Sequence, residues 1–255
     1  MFRYQDAFQS KYFFDRLRQR KRIPFHWHYN ILEAVIKNAY IVQQVQSLSD
    51  EKKTYDILDL GCGSGHVSMA IGRIIKARLL GFDLKVNHLT RINVAKYNLR
   101  NLLMRNHSRF KIRQKSYIDF FNSQQNLKFD IIIDNCSVTH FDIKPSNSIN
   151  QGWKHIIVDL GKYLKPGGHF ICATDVGTRQ AFNAEFCKEE DLFNSFEQFG
   201  WELKNIDKVH IDSTTDLLLT KFLNQVHYEP FLRLPPPDTL NNGVLGVTGF
   251  VASKK

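Results

Sequence analysis

Short apolar runs alternate with segments of helical periodicity along most of this chain. Residues 27–48 place Ile31, Leu32, Val35, Ile36, Ile41, Val42 and Val45 on one stripe, which predicts a helix. Residues 56–60, 78–82, 109–114, 129–134 and 170–174 read as strands. The fourth is apolar through its middle, as in a parallel strand covered on both faces. An amphipathic segment (Val67, Met69, Ala70, Ile71, Ile74, Ile75) follows the first strand. A helix at about 87–104 follows the second, with Ile92, Ala95, Leu99 and Leu102 expected inward. After the fourth strand, Trp153, Ile156, Ile157, Leu160 and Leu164 mark another helix, stopped by Lys165-Pro-Gly-Gly168. A helix at about 189–199 and strands at 202–211 and 244–252 complete the pattern, with an apolar insertion at about 212–240. Strands alternating with helices at this spacing predict an α/β fold with a doubly wound, mostly parallel seven-stranded sheet. Residues 1–50 are expected to form an N-terminal helical and aromatic extension covering the pocket, and 51–255 a single domain.

A chain of 255 residues can bury a core sufficient for one such domain. No apolar run approaches the roughly 20 residues of a membrane span. The N-terminus lacks the apolar core of a secretion signal. Cys62, Cys136, Cys172 and Cys187 are scattered without metal-ligand spacing, so they are read as reduced thiols in a cytoplasmic protein. Neither a metal nor a membrane partner is expected. The net charge of +10 is concentrated: residues 71–115 hold twelve Lys/Arg against one acid, and residues 1–23 hold seven against two. Such blocks suit either a phosphate-binding face or a solvated surface.

The candidate chemistry begins at Ile57-Leu-Asp-Leu-Gly-Cys-Gly-Ser-Gly65, where a strand runs into a D-x-G-x-G-x-G turn and then a helix. Glycines there admit positive φ and let a ligand press on the backbone, and the following helix presents its N-terminal amides. Asp83 closes the second strand eighteen residues past Gly65, where a carboxylate accepts hydrogen bonds from a ribose diol. A dinucleotide-binding dehydrogenase has a similar turn, but its last glycine usually comes one residue later, and Lys-Pro-Gly-Gly has no role there.

From about residue 55 to residue 174 these motifs resemble the class I, Rossmann-like S-adenosylmethionine-dependent methyltransferases. The resemblance implies that Asp59, Gly61, Cys62, Gly63 and Gly65 hold the methionine part of that cofactor. Asp83, with Leu84 beside it, would take the ribose. Ser116 and Tyr117 after the third strand and Asn135 after the fourth complete the implied set. The family's adenine-binding acid has no direct counterpart here: Ser116, Asp119 or a backbone group remain the alternatives.

The acceptor side is less determined. The Asn/Asp-Pro-Pro-aromatic signature of many amino-group and nucleobase enzymes is missing, as is the Pro-Cys pair of cytosine C5 enzymes, so Cys136 reads as a small hydrophobe. His140 is the candidate general base, since imidazole titrates near neutrality. Tyr12, His26, His28 and Asp175 are expected to join it in the substrate pocket. A small-molecule acceptor is favoured because aromatic residues are dense in 1–30 and no RNA-binding appendage is recognisable. An RNA methyltransferase using the two basic segments is the alternative, and a non-catalytic cofactor-binding module comes third. Oligomeric state is left open.

Overall fold

Alternate residues of each central strand enter two separate cores, and this alternation organises the molecule. The computed structural model describes residues 28–123, 126–135, 149–177, 180–181, 184–185, 189–210 and 244–254. Helix α1 (His28–Ser47) precedes β1 (Tyr55–Leu60), α2 (His66–Ile74), β2 (Ala77–Asp83), α3 (His88–Leu103) and β3 (Arg109–Gln114). There follow α4 (Tyr117–Ser123), β4 (Phe129–Asn135), α5 (Ile149–Tyr163), β5 (Leu164–Gly177), α6 (Glu189–Gln198), β6 (Trp201–His210) and β7 (Val244–Lys254). A separate two-residue ribbon pairs Gln180–Ala181 with Ala184–Glu185. The seven strands lie in the order β3-β2-β1-β4-β5-β7-β6. The first five are parallel; β7 is antiparallel to both β5 and β6. The doubly wound, mostly parallel seven-stranded sheet expected from the sequence is therefore present.

Ile57, Ile131, Ile133, Ile171 and Val251 meet α1, α2 and α3 on one face of the sheet. Leu58, Ile132, Phe170 and Phe250 meet α4, α5 and α6 on the other, where Phe82 and Phe120 stack at 4.2 Å. Helix α1 is tied across the sheet: the Tyr40 hydroxyl donates to the Asn205 carbonyl at 2.6 Å, and the Asn205 side chain donates to Gln44 at 2.9 Å. Asn205 sits with φ at 50° where the β6–β7 register shifts. The ring of Tyr40 lies so close to Gly249 that a Cβ there would stand 2.6 Å from it.

The Lys165-Pro-Gly-Gly phrase marks a clamp at the amino-terminal edge of the sheet. Lys165 reaches Asp56 at 2.7 Å and Asp130 at 2.8 Å, Lys53 adds a contact to Asp130 at 2.8 Å, and Arg78 grips Asp56 at 2.6 Å. The Asp56 amide also donates to Asp130, at 2.8 Å, so β1, β4 and β5 are joined by one network.

Two expectations are corrected. Leu164 is not on the α5 stripe: the helix ends at Tyr163, and Leu164 opens β5 opposite Phe129. On α3 the inward residues are Thr90, Val94, Tyr97 and Asn101, while Leu99 and Leu102 are exposed and Ala95 is on the surface. Side-chain amides fix the roll of this helix. Asn98 donates to the Phe110 carbonyl and accepts from its amide, at 2.8 and 2.9 Å, and Asn101 donates to the Ser108 carbonyl at 3.0 Å. A buried backbone group left unpaired costs more than an exposed leucine does. The short helix α4 had no counterpart in the pattern of the sequence.

Burial pushes the Asp130 carboxyl upward, but hydrogen bonds from Lys165, Lys53 and the Asp56 amide outweigh it and hold its pKa at about 2. The folded value thus lies below the ordinary one, so the clamp stabilises fully above the unfolded carboxylate range and is lost as pH falls toward 2. Asp130→Asn is expected to cost about 1–2 kcal/mol at pH 7, after allowing for solvent screening around the exposed lysine. Denaturant titrations of both proteins should show the difference closing near pH 2; a gap independent of pH would contradict this role.

Candidate functional site

Strand β1 ends at Leu60, and the chain reverses into α2 through Gly61, Gly63 and Gly65, with φ at 56°, 51° and 71°. All three lie in the left-handed region that side chains with a Cβ enter only with strain. Gly65 also meets a wall, since a Cβ there would be 2.4 Å from the Phe110 ring. Gly63 meets nothing within 4 Å, so the turn is open on that side. The Cys62 amide donates to the Phe82 carbonyl at 2.9 Å, and its thiol packs on Gly81, where a Cβ would be 2.7 Å from the sulfur. Burial, followed by the charges of Asp59 and Asp83, pushes the Cys62 thiol far above its ordinary range, so it is a packing group.

Asp83 is the hinge of the arrangement. Its Oδ2 accepts the Gly63 amide at 2.9 Å and its Oδ1 accepts the Lys85 amide at 3.0 Å. Each carboxylate oxygen retains a lone pair for a further donor. Leu84 stands beside it, half exposed. Below the turn, Asp59 is buried and accepts the Ser68 hydroxyl at 2.7 Å. Burial raises its pKa to about 7; the Ser68 hydrogen bond opposes this, while the charges of Asp134 and Asp83 add to it. Asp83 and, as it ionises, Asp59 both bear on Cys62 of the turn, a field that favours a ligand carrying positive charge and hydroxyl donors over one carrying phosphates.

The remaining residues expected from the sequence fall into three groups. Ser116 and Asp119 engage each other: the Ser116 hydroxyl donates to the Asp119 carboxylate at 2.6 Å and accepts its amide at 3.1 Å. This is a local cap at the start of α4. Tyr117 turns its side chain into the packing between helices, with its ring 4.5 Å from that of Phe121 and its hydroxyl 3.4 Å from Asp159. Asn135 lies at the carboxyl end of β4 and donates to Asn38 of α1 at 2.5 Å. Asp134 beside it is fully buried, with the Cys172 thiol donating to it at 3.6 Å. Asp175 pairs with Val247 near the carboxyl end of β5, and His28 opens α1. Tyr12, His26, Cys136 and His140 lie outside the described residues, as do the 1–27 part of the extension and the 212–240 insertion. Among the described residues no group of three or more His, Cys, Asp or Glu is placed to hold a metal ion.

Asn38 was not anticipated. The sequence carries one signal for it, the polar pair Lys37-Asn38 interrupting an apolar stripe, and both side chains are buried. Ser68, Gly81 and Phe110 were likewise missed as the residues that shape the turn from behind.

The methyltransferase domain family matches residues 51–225 of the chain. No curated protein matches it. Among solved structures, the cyclopropane synthase MmaA2 of Mycobacterium tuberculosis aligns with a TM-score of 0.58 at 14% identity, over 84% of this chain and 83% of that one. An S-adenosylmethionine-dependent methyltransferase of Geobacter sulfurreducens, in complex with S-adenosylhomocysteine, aligns with a TM-score of 0.53 at 17% identity, over 84% and 90%. The phosphoethanolamine N-methyltransferase 2 of Haemonchus contortus, in complex with S-adenosylmethionine, aligns with a TM-score of 0.55 at 14% identity, over 84% and 52%. At these identities the likeness to solved structures is one of fold.

Because the folded pKa of Asp59 is raised, stability declines as pH climbs from the ordinary carboxylate range through about 7. Asp59→Asn removes that decline. Its melting temperature should match that of the parent near pH 4–5 and exceed it at pH 8, by a difference on the order of 2 kcal/mol. Parallel pH profiles for the two proteins would refute a buried Asp59 charge.

Proposed function

This chain belongs to the methyltransferase domain family, and we propose that the acceptor of its S-adenosylmethionine-derived methyl group is a small molecule. The residues at the turn fit that cofactor. The open side of Gly63 gives its methionine part room against the backbone, Asp83 retains acceptors for the ribose diol, and the Asp83 and Asp59 carboxylates favour its ammonium and sulfonium charges. When bound, S-adenosylmethionine supplies a methyl group already activated by its sulfonium. The protein then has to position: holding the acceptor in line with the methyl group supplies much of the rate. His140, in the segment after β4, is assigned as the group that takes a proton from acceptors that must lose one.

The observation that carries the small-molecule reading is that the longer basic segment, 71–115, stands apart from the acceptor side. The basic residues of 71–115 lie in α2, β2, α3 and β3 or in the connections that join and follow them, at the β3 edge of the sheet. The acceptor side, beyond β1, is formed by β4 and β5. There α1 is fastened by the Asn38–Asn135 hydrogen bond and buries polar groups, an enclosure suited to a small polar acceptor rather than a backbone of phosphates.

Labelled S-adenosylmethionine incubated with separate metabolite and RNA pools tests this. Label entering the metabolite fraction is expected, and label entering RNA alone would overturn it. Asp83→Ala should weaken S-adenosylhomocysteine binding by at least about tenfold in calorimetry, the loss of two charge-assisted hydrogen bonds; unchanged affinity would remove Asp83 from the ribose site. For His140→Ala, a rate loss of about 100-fold or more with cofactor affinity retained is expected. An unchanged turnover would mean that the base lies elsewhere or that none is needed.

A further inference from the structure

Helix α3 is amphipathic in the reverse sense. Its inward line includes polar Thr90 and Asn101, whereas Leu89, Leu99, Leu102, Leu103 and Met104 are between 57% and 75% exposed. At about 100° per residue, Ile92, Leu99 and Leu103 fall within about 40° of one another, roughly opposite the buried line through Val94, Tyr97 and Asn101. The outermost ridge of the helix is therefore aliphatic. Exposed Arg91, Lys96, Arg100 and Arg105 flank it, and exposed Arg109 and Lys111 follow on the edge strand β3. None of these six cations forms a salt bridge among the described residues. Residues 84–115 contain nine Lys/Arg and no Asp or Glu.

We propose that this face seats the protein reversibly on an anionic lipid bilayer. An aliphatic ridge bordered by long cationic side chains matches the boundary between acyl chains and headgroups: the leucines enter the apolar side, and the Arg and Lys stems reach back to the phosphates. The acid-free stretch extends the positive field over two neighbouring elements, which draws the face to a negatively charged surface. RNA would satisfy the cations but leave the leucines in water. Tyr97 and Phe110 of α3 and β3 are both buried, which leaves the exposed imidazole of His88 as the single aromatic ring there for a base to stack on. A second copy docked ridge to ridge would bring like charges together. The sequence suggested no membrane partner because it holds no apolar span, and no described helix is long and apolar enough to cross a membrane. Surface attachment requires no span.

Co-sedimentation of the full chain with phosphatidylcholine vesicles, with and without about 30 mol % phosphatidylserine, tests the proposal. Binding at least about tenfold tighter to the anionic vesicles is expected, weakening as salt rises. The exposed pair Leu99→Ser/Leu103→Ser should lower it about fivefold or more with an unchanged melting temperature, through lost apolar burial alone. Three results would overturn it: no vesicle binding, equal binding to neutral vesicles, or anionic binding indifferent to the leucine pair. A dimer in sedimentation analysis that Leu99→Ser/Leu103→Ser dissociates would also overturn it, by assigning the face to a second copy.

Discussion

A single carboxylate holds the site together. Asp83, at the end of β2, accepts one amide from the glycine turn after β1 and another from its own loop, so it links the two strand ends through a charge-assisted hydrogen bond. A turn with three glycines in the left-handed region has little conformational preference of its own; Asp83 supplies the missing constraint. Cys62 against Gly81 and Phe110 against Gly65 close the turn from behind. The shape of the turn is therefore a property of three adjacent strands, β1, β2 and β3, and of the register between them.

The opposite edge of the sheet has a different task. Lys165 and its two aspartates bind β1, β4 and β5 together away from the turn, which gives the Lys-Pro-Gly-Gly phrase a structural purpose. Gly168 belongs to the same fit, because a Cβ there would crowd the Asp130 carbonyl at 3.0 Å. Helix α1 supplies the third constraint. Tyr40 fixes it to the β6–β7 irregularity and Asn38 fixes it to the end of β4, so α1 is held against the sheet at two places.

The architecture was legible because its signals are local: apolar runs, a glycine turn, and an acid at a strand end. The alternation of strands and helices announced a mostly parallel seven-stranded sheet, and the sheet has one reversed strand, β7. What failed to show in the sequence was long-range. Asn38 meets Asn135 across 97 residues and Tyr40 meets Asn205 across 165, separations that carry no periodicity. On α3 the apolar spacing pointed to the wrong face, because side-chain amides at Asn98 and Asn101 satisfy the backbone beside and within β3 and so decide the roll of the helix. Ser116 and Asp119 appeared as alternative ligands for one group; the fold instead joins them in a cap.

The central claim is that the glycine turn and Asp83 together form a site for S-adenosylmethionine. Thermal melts of the full chain with S-adenosylmethionine, S-adenosylhomocysteine and NAD test it most directly, since a ligand at 100 times its dissociation constant adds about 2.7 kcal/mol to the folded state. The account predicts a raised melting temperature with the two adenosyl sulfur ligands and none with NAD. Stabilisation by NAD, or by none of the three, would contradict it.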